Sequence, residues 1–153
     1  MSGTSFEPSI IAFCCHFCAY NAADLAGSLR VPYPPSVRII KVMCTGRIDM
    51  RFMLRCLAEG ADGVLAAGCL EGECHYMEGN LRARKRIDGI KRQLDETGIE
   101  PERLRMINIS ASDGPLFARL VTEFAADLKQ MGPNPVRLTE RKVWEEHRDR
   151  SRT

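Results

Sequence analysis

Gly63-Val64-Leu65-Ala66-Ala67-Gly68-Cys69-Leu70-Glu71-Gly72-Glu73-Cys74-His75-Tyr76 is the stretch that decides the fold. It opens with six small or branched apolar residues, too few for a helix, which read as a strand buried on both faces. That strand runs straight into a loop holding two cysteines. Two earlier runs end the same way. Ile10-Ile11-Ala12-Phe13 meets Cys14-Cys15-His16-Phe17-Cys18, and Val37-Arg38-Ile39-Ile40-Lys41-Val42-Met43 meets Cys44. Six of the seven cysteines therefore follow the C-terminal ends of three strands. If the strands are parallel neighbours, the six thiols share one edge of one sheet.

Helical patterns separate the strands. Ala22, Leu25, Ala26 and Leu29 lie at helical spacing in the segment from Ala19 to Arg30, which puts Cys18 at or just before a helix start. Backbone N–H groups and the positive dipole end stabilise a thiolate there. Tyr33-Pro34-Pro35 ends this unit. Asp49 caps a helix from Met50 to Glu59, and Asn80 caps one from Leu81 to Thr97 that turns Ala83, Ile87, Ile90 and Leu94 inward. A fourth strand, Leu104 to Ile109, leads through Ser110-Ala111-Ser112-Asp113-Gly114 to a helix opened by Pro115, and a helix cap accounts for Ser110, Ser112 and Asp113 without catalysis. Four such alternations predict an α/β fold: an open parallel four-stranded sheet, flavodoxin-like or Rossmann-like, with helices on both faces. Residues 1–132 form this domain. Residues 133–153 are expected to be a helical or extended docking tail, with Trp144 as its anchor on a neighbouring protein.

A chain of 153 residues, 44% of them hydrophobic, builds a core without disulfides. No secretory signal opens it and no apolar run approaches the roughly 20 residues of a membrane span, so a cytoplasmic location is expected. In a reducing compartment, clustered thiols read as metal ligands or redox groups. With 22 basic and 20 acidic residues, charge gives no case for nucleic acid as a partner.

Ligand sites in open parallel sheets lie outside the carboxyl ends of the strands, where the thiols are expected. A [2Fe–2S] cluster takes four ligands, usually thiolates, and Cys69 and Cys74 have the C-x4-C spacing that recurs at such sites. The candidates are Cys14, Cys15, Cys18, Cys44, Cys69 and Cys74, six for four positions, and spacing alone does not choose among them; the preferred order is Cys44, Cys69 and Cys74 first, then Cys15 and Cys18, with Cys14 last as the residue that continues the strand. Four thiolates would equally suit a structural zinc, giving a zinc-stabilised interaction module, and Cys15-His16-Phe17-Cys18 alone would suit thiol–disulfide chemistry. Structural zinc sites usually rescue domains with little core, which this chain does not lack, and the dithiol reading leaves Cys44, Cys69 and Cys74 unexplained, so the iron–sulfur reading is preferred. His16 and His75 flank the site, and Cys56 is read as a packing residue within a helix. The run Arg82-Ala83-Arg84-Lys85-Arg86 reads as a solvated helix face or a steering patch. No phosphate loop, zinc-protease motif or nucleophile elbow is present, which favours an electron carrier over a catalyst acting alone.

The chain also resembles the delta subunit of methyl-viologen-reducing hydrogenase. The resemblance runs through Phe13-Cys14-Cys15, Cys18-Ala19-Tyr20, Ala23 to Gly27, Tyr33 to Ile40, Val42 to Ile48, Gly60 to Leu65, Gly68-Cys69, Cys74-His75-Tyr76 and Gly79-Asn80. It implies a [2Fe–2S] protein that relays electrons from a hydrogenase or formate dehydrogenase to the flavoprotein subunit of heterodisulfide reductase. The setting it implies is an electron-bifurcating oxidoreductase complex of methanogenic metabolism. The chain departs from the family at His16-Phe17, where Asn-Trp is frequent, and at Leu70, where His is common. Neither departure removes a cysteine.

Overall fold

The computed structural model describes residues 5–150. Its strands are β1 (Ile10–Cys15), β2 (Val37–Val42), β3 (Gly63–Gly68) and β4 (Leu104–Asn108), all parallel, in the order β2-β1-β3-β4. The helices are α1 (Ala19–Ser28), α2 (Met50–Ala58), α3 (Gly79–Thr97), α4 (Gly114–Met131) and α5 (Pro135–Arg150), with 3-10 turns at Thr45–Arg47 and Pro101–Arg103. None of the helices is long and apolar enough to cross a membrane among the described residues.

Burial explains the order. Every residue of β3 is buried, as its apolar run requires of an inner strand, whereas β2 lies at one edge and carries exposed Arg38 and Lys41. Ile10, Ala12, Cys14, Leu65 and Ala67 pack with Ala22 of α1 and with Phe117, Val121 and Phe124 of α4. On the other face Phe13, Val64 and Ala66 pack with Met53 and Leu57 of α2 and with Ile87, Ile90 and Leu94 of α3. After β2 the chain crosses to the far side of β1, so strand order reverses between β1 and β3. The crevice of a doubly wound sheet opens at that point, and the cysteine loops after β1 and β3 flank it.

The expected helices form, with local differences. Asp49 caps α2 by accepting from the Arg51 N–H at 2.8 Å. The first helix stops at Ser28 rather than Arg30, since Val31 N–H closes onto Ala26 O and Arg30 takes φ +56°. Leu29 is consequently 55% exposed instead of inward. Asp113 precedes α4 but does not cap it with its side chain; its carboxylate accepts from the Ser110 N–H behind it. Pro115 in the first turn brings no N–H to be capped.

A polar lock at the amino ends of the strands has no counterpart in the sequence analysis. Asp62 is fully buried and accepts from the N–H groups of Ser9 (2.8 Å) and Asn134 (2.9 Å) and from Arg137 Nη1 (2.7 Å). Arg103, also fully buried, donates to Glu100 and to the carbonyls of Asp62, Gly132 and Pro133. Asn134 Nδ2 donates to Leu57 O and Ala61 O, so it satisfies carbonyls where α2 ends. Buried charges are tolerable only when satisfied this fully. The lock ties the start of α5 to the sheet. The side chain of Trp144, the expected anchor, lies outside the described residues.

Replacing Asn134 by Ala takes the amide donor from the buried Ala61 carbonyl and one of two donors from the Leu57 carbonyl, which keeps the Gly60 N–H, at a cost of about 2 kcal/mol. The expected outcome is a melting temperature lower by roughly 4–8 °C, measured by circular dichroism.

Candidate metal centre

Three loops leave the carboxyl ends of β1, β2 and β3 and bring five thiols together. Cys15, Cys18 and Cys69 form one group, with their sulfurs all within 4.8 Å of one another and Cys15 Sγ 3.8 Å from Cys69 Sγ. Cys44 and Cys74 form a second, their sulfurs 3.7 Å apart. Cys15 Sγ also lies 3.7 Å from Met43 O, so the first loop touches the second. Cys18 stands at the start of α1, as expected.

The C-x4-C pair is thus divided: Cys69 faces the first loop and Cys74 the second. The intervening loop turns at Gly72, which takes φ +81°, and Asn80 Nδ2 holds the carbonyls of Cys69 and Leu70, each at 3.0 Å. The sequence suggests a helix cap at Asn80. The structure instead buries it as the second residue of α3, where it fixes the Cys69 peptide from behind. Asn108, at the end of β4, donates to the same Cys69 carbonyl at 2.7 Å, and Arg84 in turn donates to Asn108 Oδ1. Arg86 donates to Gly46 O (2.6 Å) and Ile48 O (3.3 Å) in the Cys44 loop. Two arginines of the basic run therefore turn inward, while Arg82 and Lys85 remain exposed.

Glycine at 79 makes the second group possible. A Cβ there would lie 2.2 Å from Cys44 Sγ and 3.2 Å from Cys74 Sγ, and one on Gly46 would lie 2.8 Å from the Gly79 Cα. The two backbones touch where no side chain fits. The only signal for this in the sequence is the pair of glycines beside cysteine loops.

Cys14 is fully buried and packs with Ile10 and Ala12 under α1 and α4; burial, helped by the neighbouring Cys15 charge, pushes its thiol up to about 12. It belongs to neither close group. Cys56, in α2, packs against the core on the opposite face, and burial raises its pKa as well. The histidines join an aromatic cluster. Phe17 stacks on His75 with ring centroids 3.9 Å apart, and His16 and Tyr76 meet its ring edge-on. His16 Nδ1 is buried without a partner among the described residues.

The thiols compete for ionisation. A hydrogen bond from the Cys18 thiol, with help from backbone N–H groups and Cys69 against the penalty of burial, lowers Cys15 to about 6. The same bond raises Cys18, and burial adds to the rise. Burial likewise raises Cys69 and pushes Cys44 up to about 11, although the Gly46 N–H favours the Cys44 thiolate. At Cys74 burial opposes ionisation, yet the N–H groups of Tyr76, Asn80 and Gly79 and the Cys44 thiol bring the pKa down. In each group hydrogen bonds favour one thiolate, Cys15 or Cys74, while burial first and the neighbouring thiol second disfavour ionisation of Cys69 and Cys44. Such a set fits a cationic centre, which supplies the charge that lets several thiolates form together. Five converging sulfurs, those of four buried cysteines and the half-buried Cys74, match the donor set of an iron–sulfur cluster.

Gly79→Ala is expected to drive Cys44 and Cys74 apart, weakening metal retention by about 10–100-fold in a chain that still folds. Metal content read beside circular dichroism checks this. Cys69→Ser and Cys74→Ser should likewise lose the centre, whereas Cys56→Ser should keep full metal content.

Comparison with known proteins places this geometry. Residues 10–132 match the family model of the methyl-viologen-reducing hydrogenase delta subunit. The chain is 48% identical over 128 residues to the iron-sulfur subunit of the F420-non-reducing hydrogenase of Archaeoglobus profundus, covering 84% of this chain and 93% of the relative. It is 44% identical over 131 residues to the vhu iron-sulfur subunit of the F420-non-reducing hydrogenase of Methanocaldococcus jannaschii, covering 86% and 98%. A third relative is far longer. It is a subunit of the ferredoxin:CoB-CoM heterodisulfide reductase of Methanosarcina mazei, 47% identical over 126 residues, which are 82% of this chain and only 16% of that protein. The match through every cysteine loop, at this identity and coverage, makes the chain a member of the methyl-viologen-reducing hydrogenase delta subunit family.

Proposed function

We propose that the protein is an iron–sulfur electron-transfer subunit with one [2Fe–2S] cluster held by four of Cys15, Cys18, Cys44, Cys69 and Cys74. The observation that carries this reading is the convergence of five thiols from three strand ends. Such a cluster supplies a one-electron couple. The chain's own residues hold the sulfurs in place, join the first and third loops through the Phe17–His75 stack and present one edge to a partner.

In this proposal electrons come from a hydrogenase or formate dehydrogenase and pass to the flavoprotein subunit of heterodisulfide reductase, in a cytoplasmic electron-bifurcating complex of methanogenic metabolism. Two kinds of relative support it: one named as the iron-sulfur subunit of a hydrogenase, the other as part of a heterodisulfide reductase, in which the matching residues belong to a longer chain. The surface supports it as well. Met43, Tyr76 and Met77 beside the thiols are 51%, 54% and 84% exposed, an apolar rim suited to being covered. Residues 1–132 carry the centre in this reading, and residues 133–153 dock on a neighbouring protein of the complex.

Anaerobic purification with iron, zinc and sulfide analysis tests the cluster. Two irons and two sulfides per chain are expected for the [2Fe–2S] type, with a visible band that bleaches on reduction and a spin-one-half resonance. Zinc without sulfide would overturn the reading. Docking is tested by truncation after Thr139, which spares the Asn134 and Arg137 contacts with Asp62. The shortened chain should keep its cluster yet co-purify poorly with the complex; normal assembly would remove the tail's role.

A further inference from the structure

Arg84 and Arg86 stand in the first half of α3; Arg86 donates into the Cys44 loop, and Arg84 donates to Asn108, which in turn holds the Cys69 carbonyl. Their positions follow from helix periodicity. Asn80 and Arg84, four residues apart, share the face toward β4 and the Cys69 loop, while Gly79 and Arg86, two turns apart, share the face toward the Cys44 loop. Arg84 reaches the Cys69 carbonyl through Asn108, and Arg86 binds two carbonyls just beyond Cys44.

Their acceptors are neutral. Among the described residues neither arginine has a carboxylate within ion-pair distance, whereas Arg82 has Glu78 at 3.9 Å, Arg51 has Asp49 and Arg55 has Glu59. Asp49 feels the charge of Arg86 but is bound by Arg51. Both arginines are also partly buried, where water screens a charge less than at the surface. An unpaired cation half out of water is costly unless something nearby is anionic. Asp49 meets part of that need for Arg86, and thiolates formed on metal binding would bring further anionic charge to the loops that the two arginines hold. The acidic residues near the third loop, Glu71, Glu73 and Glu78, are exposed and make no bond to either arginine.

We propose that Arg84 and Arg86 are fixed countercharges of the thiolate centre, one for each thiol group, and that they raise its reduction potential. The proposal rests on the electron-transfer reading for its effect on potential. The reduction adds one electron to a centre already negative, with the electron supplied by the donor protein, and two nearby cations favour the more negative state. They are positioning residues: their hydrogen bonds to Asn108 and the loop carbonyls hold the guanidinium charges near the thiol loops, and the charge acts from there.

The test separates charge from clamping. Arg84→Gln and Arg86→Gln keep an N–H donor and lose the charge; Arg84→Lys and Arg86→Lys keep the charge. In anaerobic redox titrations followed by the spin-one-half resonance, the double Gln variant should show a roughly tenfold lower reduced-to-oxidised ratio at fixed potential, which is about 59 mV for one electron. Each single Gln variant should show part of it and the Lys variants almost none. Unchanged potentials in the Gln variants, or Lys variants shifted as far as Gln, would overturn the proposal. A second readout does not need the cluster. In the metal-free chain, iodoacetamide at pH 7 should alkylate the site cysteines several-fold more slowly in the Gln variants than in the wild type, with Lys restoring the rate. Equal rates would count against the countercharges. Should one Gln variant fail to fold, the other decides, because the two arginines serve different loops. Zinc without sulfide in the wild type would sink the electron-transfer reading alone, and alkylation would still judge the arginines.

Discussion

The contact of two backbones at Gly46 and Gly79 is the constraint on which the thiol edge depends. Helix α3 can bring its first turn against the Cys44 loop only because neither residue has a side chain. Once it is there, much of the site follows from the helix. Its first N–H groups point at Cys74, Asn80 holds the Cys69 peptide, and Arg86 holds the loop beyond Cys44. A helix ordinarily contributes one face to a fold. This one contributes an apolar stripe to the core and two polar faces to two loops, so packing energy from Ile87, Ile90 and Leu94 is converted into precision at the sulfurs.

Rigidity of this kind suits electron transfer better than turnover. A carrier works fastest when its geometry changes little between oxidation states, and the loops here are held by hydrogen bonds from other elements. Cys69 is held by two asparagine amides from different segments, and the Cys44 loop by an arginine two turns further along α3. The Phe17–His75 stack joins the first loop to the last.

The sheet, its parallel sense and the edge at which the cysteines gather were legible because strand and helix periodicities alternate cleanly and three of the strands run into cysteine loops. The inward residues of α3, Ala83 to Leu94, were legible for the same reason. Pairing among the thiols was not. Spacing alone suggests that Cys69 and Cys74 act together, but the turn at Gly72 and the grip of Asn80 send them to different partners. The inward arginines were hidden by their neighbours: Arg84 and Arg86 sit in a run of charges, and only contacts with segments remote in sequence distinguish them from Arg82 and Lys85. The polar lock was equally silent, since nothing local marks Arg103 or Asn134 as buried.

That lock has a topological consequence. Ser9 and Asn134 both give their backbone N–H to the same carboxylate, that of Asp62, so the chain arrives at the domain and departs from it at adjacent points. Those points lie at the amino ends of strands whose carboxyl ends carry the thiols, roughly 20 Å away for about six residues at about 3.3 Å each. A domain with neighbouring termini remote from its working edge behaves as a plug-in module. It can be strung into a longer polypeptide without its sulfurs being blocked or its sheet pulled open. The matching 126 residues within the much longer Methanosarcina mazei relative are what such an arrangement permits.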